Sequence, residues 1–249
     1  MPVHDDLGTR MKTNYEQIPK TRLMRRCPVI VRIDGKSFHS FTKGFNKPFD
    51  DLLIESMQET MKYLCENIQG CVLGYHQSDE ISLLLIDYKN LNSQAFFDYE
   101  IQKVCSITAS MATMAFNKAF HSVMSGYVYE KAFNKGAMFD SRCFNIPESE
   151  VANYFYWRQL DATRNSIQMV GQANFSHKEL QNKSCNMIQD MLHDQKGINW
   201  NDYPTHKKRG SCCVKVIDFD DGLFRSKWVI DKDIPIFVGT GRDYIEKLI

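Results

Sequence analysis

The sequence has no long hydrophobic run, and its eight cysteines include no Cys-x-x-Cys pair. Its longest apolar stretch, residues 81–86, is far shorter than the roughly 20 residues that a membrane-spanning helix needs. The first residues lack the apolar core of a secretory signal. Without paired cysteines, neither a zinc site nor a disulfide framework is predicted. We therefore expect a cytoplasmic protein with no membrane partner and with reduced, mostly buried cysteines.

An excess of charge of one sign is also lacking. The formal net charge is +1 and the pI is near 7.6, whereas nucleic-acid-binding domains often have a pI above about 9. Basic residues cluster at 20–26 and 206–209, but clusters this short are usually solvated surface. With 43% hydrophobic and 24% charged residues, the 249-residue chain is typical of globular proteins, which excludes disordered and fibrous classes.

The order of the predicted elements indicates an α+β fold. A β-branched strand ends at Asp34, a helix follows over 53–68, residues 71–75 and 81–86 form a hairpin, a long helix covers 95–123, and a fourth strand covers 139–144. This order matches the split βαβ arrangement of ferredoxin-like folds, in which helices cover one face of an antiparallel sheet. The first and third strands are then neighbours in the middle of the sheet.

The pattern changes after Pro147. Two further helices are predicted at 148–169 and 180–192, followed by a strand pair at 214–219 and 228–230. No repeat or low-complexity linker separates the two parts. We expect one catalytic unit over 1–249, with a core at 1–147 and an α-rich C-terminal extension at 148–249.

Carboxylates stand at the ends of two predicted strands. Asp34 closes the first strand, and Asp79 and Glu80 lie at the tip of the hairpin. In the ferredoxin-like order these positions converge on one patch. Two Mg²⁺ ions held about 4 Å apart by a few carboxylates stabilise both oxygens of a phosphoryl displacement. Each acid alone is more often an ordinary turn residue, so the prediction depends on the pair.

Four motifs together resemble the tRNA-His guanylyltransferase superfamily. They are residues 31–41 (VRIDGKSFHSF), 46–50 (NKPFD), 77–80 (QSDE) and 156–159 (YWRQ), and they appear in the family's order and at family-like spacing. The resemblance runs from residue 10 to residue 215. It implies a polymerase-palm fold for the core and an enzyme that adds nucleotides to the 5′ end of tRNA. It also implies a homotetramer, with the C-terminal extension contributing to tRNA contacts and oligomerisation.

The implied reaction extends RNA in the 3′-to-5′ direction. ATP activates the tRNA 5′-monophosphate by adenylylation, and the 3′-hydroxyl of an incoming nucleotide such as GTP then attacks the activated phosphate. Pyrophosphate is removed from the new end where needed. All three steps are in-line displacements at phosphorus, which suit two Mg²⁺ ions and fixed cationic donors.

The resemblance also assigns roles to particular residues. Asp34, Asp79 and the Gly35 carbonyl would bind the metals, and Glu80 would be a third acid that orients Asp79. Nucleotide contacts fall on Gly35, Lys36, Ser37, Phe38, His39, Lys47, Ser78 and Asp50, and the last is equally well explained as a helix cap. RNA contacts fall on Lys103, Arg158, Asn165, Lys207, Lys208 and Arg209. Trp157 is expected to be a core residue.

Two departures from the family pattern modify the expected reaction. Guanylyltransferases that add one extra G to tRNA-His have a His-Ile-Asn-Asn motif shortly after Trp-Arg-Gln. Here residues 161–166 (DATRNS) place Thr163 at the position of that His and keep only Asn165. This loss points to the guanylyltransferase-like branch, whose members extend 5′-truncated tRNAs by Watson–Crick templating. An arginine pair expected on the long helix is also missing, and only Lys103 fits there.

Three alternatives stay open. A strict tRNA-His guanylyltransferase would add one G whatever the opposite base, a palm-fold nucleotide cyclase would act on free nucleotides, and a non-catalytic module would only bind RNA. Intact Asp34, Gly35 and Asp79 argue against the last. The favoured interpretation is template-dependent repair of truncated tRNA 5′ ends.

Overall fold

A computed structural model describes residues 6–220 and 223–249, and within them the chain forms one six-stranded sheet. The strands are β1 (Val29–Gly35), β2 (Cys71–Gln77), β3 (Glu80–Leu85), β4 (Phe139–Asn145), β5 (Ser211–Asp220) and β6 (Leu223–Asp231). Every pairing is antiparallel, and the order is β4-β1-β3-β2-β5-β6. This confirms that β1 and β3 are neighbours in the middle of the sheet.

The α-helices of the described residues differ widely in length. They are α1 (Asp6–Met11), α2 (Phe38–Phe41), α3 (Asp51–Asn67), α4 (Ile101–Val123), α5 (Tyr127–Lys135), α6 (Glu148–Asn174), α7 (His177–Leu180), α8 (Cys185–Lys196), α9 (Thr205–Arg209) and α10 (Asp243–Glu246). None of these helices combines the length and the apolar character that a membrane span requires. All eight cysteines are free thiols.

Helices pack on both faces of the sheet. Successive side chains of β1 point to opposite faces, so β1 contributes apolar residues to the core on each side. Val29, Val31 and Ile33 point into an apolar core beneath α3 and α4. Ile30 points to the opposite face, where α6 and residues 234–245 form a second core. The expectation that the helices of the core cover one face is confirmed for α3 and α4, and α6 of the C-terminal extension covers the other face.

Two helices differ from the predicted elements. The long helix begins at Ile101 rather than near residue 95, because Phe97, Asp98 and Tyr99 adopt positive φ values that interrupt it. α5 is a helix that the sequence patterns do not predict. The strand pair predicted at 214–219 and 228–230 is present as β5 and β6, and β5 pairs with β2, so that this hairpin completes the sheet.

Candidate functional site

Asp34 and Asp79 lie side by side at one end of the sheet. Asp34 is paired with Glu80 across the β1–β3 ladder, so the turn that joins β2 to β3 places Asp79 beside the end of β1. The Gly35 N–H donates a hydrogen bond to the Asp79 carbonyl at 3.1 Å. The predicted convergence of the two acids is confirmed.

The two carboxylates repel each other in a partly dry environment. Burial raises the pKa of Asp79, and the negative charge of Asp34 raises it further. The Ser78 hydroxyl donates to Asp79 Oδ1 at 3.1 Å, which opposes part of that increase. Arg142 Nη2 lies 4.0 Å from Asp34 Oδ2 on the other side of the pair.

A divalent cation would need more ligands than these side chains supply. Among the described residues, no group of three or more His, Cys, Asp or Glu side chains is arranged to hold a metal ion. Mg²⁺ in nucleotide enzymes, however, is usually held by one or two carboxylates together with phosphate oxygens and water. Asp34 and Asp79 fit that donor set, and a divalent cation would relieve their repulsion.

Glu80, the third predicted acid, is buried in an ion-pair network. Arg32 Nη2 forms an ion pair with Glu80 Oε2 at 2.7 Å, and Arg158 donates hydrogen bonds to both Glu80 oxygens at 2.7 and 2.8 Å. Arg158 also donates to Asp161 at 2.8 Å. Burial raises the pKa of Glu80, while the two guanidinium groups counteract the increase. Glu80 therefore holds α6 against β3 and is not open to a metal ion or substrate.

This network also corrects the expectation that Arg158 contacts RNA. Its side chain is almost fully buried, and both acids that it contacts are inside the fold. The neighbouring Trp157 was expected in the core, yet its side chain lies on the surface. The register of α6 explains both outcomes, because successive residues of a helix point about 100° apart and only one of the two can face the sheet.

The turn after β1 presents polar groups next to Asp34. Lys36, Ser37 and His39 are exposed, whereas Phe38 is buried among aromatic rings. The Lys36 N–H is already bound to the Met138 carbonyl at 2.8 Å. The N–H groups of Ser37, Phe38 and His39 have no acceptor in the described part of the chain. Three residues at which nucleotide contacts are expected thus have backbone N–H groups open to a ligand.

Gly35 is required by packing in this turn. A Cβ at Gly35 would lie 2.3 Å from Cδ2 of the Phe38 ring, far inside any normal contact distance. Ser37 and Ser78, in the two turns beside the acids, adopt the left-handed conformation with φ of 55° and 52°. Such strain is tolerated where the surrounding structure imposes it, and it is common at functional sites.

A cleft opens on the Asp79 side of the acid pair. It is lined by the start of α3, the β2–β3 turn, the middle of α6 and the loop around α9. Five predicted site residues line it: Asp50, Ser78, Asn165, Lys207 and Lys208. The structure thus brings predicted nucleotide-binding and RNA-binding residues to one place.

The residues of the cleft differ in how free they are. Asp50 caps α3 by accepting from the Leu53 N–H at 3.0 Å, and it also accepts from Asn46 N–H and from the Tyr129 hydroxyl. Lys207 pairs with the exposed Asp51 at 2.6 Å. The Lys208 amine is buried against the Asn201 carbonyl. Ser78 Oγ donates to Asp79, and Asn165 Nδ2 lies 3.4 Å from Asp161 Oδ2. Ser78, Asn165 and Lys207 each have one side-chain partner and are less buried than Asp50 and Lys208.

The remaining predicted contacts lie outside this cleft. Lys47 is exposed but is not a lining residue. Arg209 lies over the Trp200 ring, 5.4 Å from its centroid. Lys103 lies over Phe97 at the start of α4, and Cys105 and Thr113 of α4 contact Cys143 and Phe139 respectively. Phe139 pairs with Gly35, the neighbour of Asp34, so the part of α4 around Thr113 lies near the acids. Lys103, at the start of α4, therefore lies at the opposite end of the helix from the acids.

Sequence reasoning missed His76, which supports the β2–β3 turn from below. Its Nε2 lies 3.0 Å from the Ser78 carbonyl and its Nδ1 lies 3.4 Å from Ser211 Oγ, which in turn accepts from Gln58. Burial lowers the pKa of His76 to about 4, so the ring is neutral. The sequence offers no signal for this series of hydrogen-bonded residues, because Gln58, His76 and Ser211 come into contact only in the folded protein.

Comparison with known proteins identifies the group to which this site belongs. The family described as "Thg1: tRNAHis guanylyltransferase" matches residues 8–147. The tRNA(His) guanylyltransferase of Saccharomyces cerevisiae is 28% identical over 78% of this chain and 84% of its own length. A probable tRNA(His) guanylyltransferase of Dictyostelium discoideum is 29% identical over 82% of this chain and 83% of its own.

Solved structures agree with this assignment. A bacterial tRNA(His) guanylyltransferase (Thg1)-like protein in complex with ATP superposes with a TM-score of 0.86 at 47% identity, covering 98% of each chain. A bacterial Thg1-like protein in complex with GTP gives 0.81 at 44% identity, covering 98% of this chain and 99% of its own. On the matched motifs and the shared fold, the chain belongs to the Thg1 family of tRNA(His) guanylyltransferases, nucleotidyltransferases that act on tRNA 5′ ends.

Proposed function

We propose that this protein extends the 5′ end of truncated tRNA by template-dependent 3′-to-5′ nucleotide addition. The observation that carries the proposal is its 47% identity, over 98% of both chains, with a bacterial Thg1-like protein in complex with ATP. The yeast guanylyltransferase structure is 26% identical and has a TM-score of 0.65. Thr163 supports the same branch, since its hydroxyl is bonded to the Gln159 carbonyl within α6 and does not line the cleft.

Asp34 and Asp79, with the Gly35 carbonyl, are the groups that would hold Mg²⁺. When bound, such ions neutralise charge that develops on the reacting phosphates and orient the attacking hydroxyl. Without a bound ion, the fold itself must hold the two carboxylates close together against their repulsion. The β1–β3 ladder and the Gly35–Asp79 hydrogen bond do this.

The cleft and the turn after β1 would hold the triphosphate of ATP or GTP. On one side, Lys207 and Ser78 offer a cation and a hydroxyl, and Asn165 offers an amide. On the other side, the N–H groups of Ser37, Phe38 and His39 point away from any protein acceptor among the described residues. Phosphate is well bound by such a combination of fixed N–H donors and cationic side chains.

We also propose that the protein acts in the cytoplasm as a homotetramer. The first turns, α1 and the π-helical turn at Lys12–Glu16, contain no buried residue, and Met11, Tyr15 and Ile18 expose large apolar side chains. Exposed apolar clusters of this kind are typical of subunit contacts. The modest net charge then implies that the tRNA surface is assembled from local basic groups, with the C-terminal extension contributing.

A primer-extension assay tests the function. A 5′-truncated tRNA is incubated with ATP, Mg²⁺ and one labelled nucleotide at a time, and the added base is compared with the base opposite. We expect addition of the complementary nucleotide only. Asp34→Ala and Asp79→Ala should each reduce the rate by at least about a hundredfold, whereas Glu59→Ala, an exposed acid on α3, should not. Absence of elongation by the unmodified protein would refute the proposal.

A second candidate, addition of one G to full-length tRNA-His, follows from the names of the curated relatives. The same assay distinguishes it. If G is added to full-length tRNA-His whatever the opposite base, and truncated tRNAs with other templates are not extended, the strict guanylyltransferase function replaces the templated one.

A further inference from the structure

Asp140 and Arg142 on β4 border the acid pair on the side away from the cleft. Together with the exposed Trp157 of α6, which covers the same face of the sheet, we name these residues the ledge. β4 is an outer strand of the sheet, and its register places Asp140 opposite Asp34 and Arg142 opposite Arg32. Alternate residues of a strand share a face, so Asp140, Arg142 and Phe144 all lie on the face that α6 covers.

Arg142 is a half-exposed cation that is fixed in direction. Its Nη2 donates to Asp140 at 2.8 Å and lies 4.0 Å from Asp34. No other nitrogen of this guanidinium makes a hydrogen bond to the described residues. Arginine presents five N–H groups in a planar fork that suits phosphate, so most of its donors remain available.

Trp157 completes the ledge. Tyr154 packs in T-shaped contacts against both Phe144 of β4 and Trp157, each with ring centroids 5.9 Å apart. Trp157 therefore lies on the flank of α6 that faces β4. The Arg158 guanidinium covers it at 4.3 Å from the ring centroid, yet the residue remains 52% exposed. A tryptophan held from one side and open on the other is suited to stacking against a base.

We propose that this ledge binds the 5′-terminal nucleotide of the tRNA, with its phosphate on Arg142 and its base stacked on Trp157. The inference rests on the proposed function, because a displacement at phosphorus requires two reactants held against the acids. The cleft on the Asp79 side would bind the nucleoside triphosphate. The ledge on the Asp34 side would bind the 5′ end of the RNA.

The chemistry of the ledge also suits a templated reaction. The 5′-terminal base differs from one truncated tRNA to another, so a site for it cannot depend on base-specific hydrogen bonds. Stacking on an aromatic ring accepts every base, because each has a π-face. A phosphate contact is likewise independent of sequence.

Substitutions on the ledge test the inference. Trp157→Ala and Arg142→Ala should each raise the half-saturating concentration of 5′-truncated tRNA by about tenfold in single-turnover elongation. Trp157→Phe and Arg142→Lys should recover part of the loss. Calorimetric titration of ATP without tRNA should give the same affinity for all four variants and the unmodified protein. Tyr127→Ala and Arg225→Ala, an exposed aromatic on α5 and an exposed arginine on β6, are matched controls that should change neither quantity.

Direct contact is tested by a truncated tRNA that carries 4-thiouridine at its 5′ terminus. Irradiation should cross-link it to a peptide containing Trp157 or Arg142, and Trp157→Ala should reduce the yield. Unchanged tRNA saturation in both alanine variants would refute the ledge, as would an equal loss of ATP affinity. Since cross-linking requires no turnover, a cross-link without elongation would refute the proposed function and leave the ledge supported.

Discussion

The two faces of the sheet use the same strands in different ways. Toward α3 and α4, β1 presents Val29, Val31 and Ile33, and this face is apolar along its whole length. Toward α6, it presents Ile30, then Arg32, then Asp34, so the face changes from apolar to charged toward the turn. One face can therefore stabilise the fold while the end of the other face is left for chemistry.

At the charged end of this face, the adjacent acids Asp79 and Glu80 lie in different environments. Glu80 is neutralised by two arginines inside the fold, whereas Asp79 faces Asp34 with hydrogen bonds from its own backbone N–H and from the Ser78 hydroxyl but with no cationic partner among the described residues. A buried acid with full partners holds elements together, and a partly buried acid beside a like charge is prepared for a cation. Three substitutions, taken from the largest expected effect to the smallest, test this contrast.

Glu80→Ala should cause the largest loss of stability. It leaves the buried Arg158 with a single acid and removes the partner of Arg32, and breaking a buried pair in this way costs about 3–5 kcal/mol. Urea unfolding followed by circular dichroism measures the change. Ile33→Ala on the apolar face, expected to cost about 2–5 kcal/mol, provides the benchmark. A loss for Glu80→Ala no greater than that of the exposed Glu59→Ala would contradict the structural role.

Gly35→Ala should lower the stability of the fold by an intermediate amount, and it should also lower the affinity for ATP. The new methyl group would push Phe38 out of its contacts with Phe41, Phe116 and Phe139, and overpacking of this kind costs about 1–3 kcal/mol. Because the same turn carries the open N–H groups, ATP affinity should fall as well. Thermal unfolding and ATP titration measure the two effects. A stable variant with normal ATP affinity would show that the turn tolerates a side chain.

Asp79→Asn should change the stability of the fold least of the three substitutions, and it should raise the stability rather than lower it. The pKa of Asp79 is raised in the folded state, so the folded protein binds this proton more readily than the unfolded chain does. Ionised Asp79 therefore destabilises the fold above its ordinary pKa, and the penalty disappears as the pH falls. Without divalent cations, Asn should add about 0.5–2 kcal/mol near neutral pH while abolishing elongation.

Melting temperatures at several pH values measure this effect. The advantage of Asp79→Asn over the unmodified protein should shrink as the pH is lowered toward about 4. Asp190→Asn, an exposed acid on α8, should show no such dependence. A destabilised Asn variant at neutral pH would mean that the two carboxylates do not repel each other in the folded protein.

Much of the architecture was predictable from local patterns. The strand that ends at Asp34, the hairpin that carries Asp79, and the fourth strand are all present in the structure at positions close to those expected. Asp50 is a helix cap, as one of its two interpretations required. Periodicity predicts such elements well because side-chain alternation and capping act over a few residues.

The sequence by itself determined that one acid stands at the end of a strand, that another stands in a hairpin turn, and that the motifs are those of the Thg1 family. Only the tertiary structure decided which acid is open, that Arg158 is buried while Trp157 is exposed, and that residues from α3, the β2–β3 turn, α6 and α9 share one cleft. The physical reason is distance along the chain. Burial and ion pairing depend on residues that are far apart in sequence, such as Glu80 and Arg158, and no local pattern records which of them will meet.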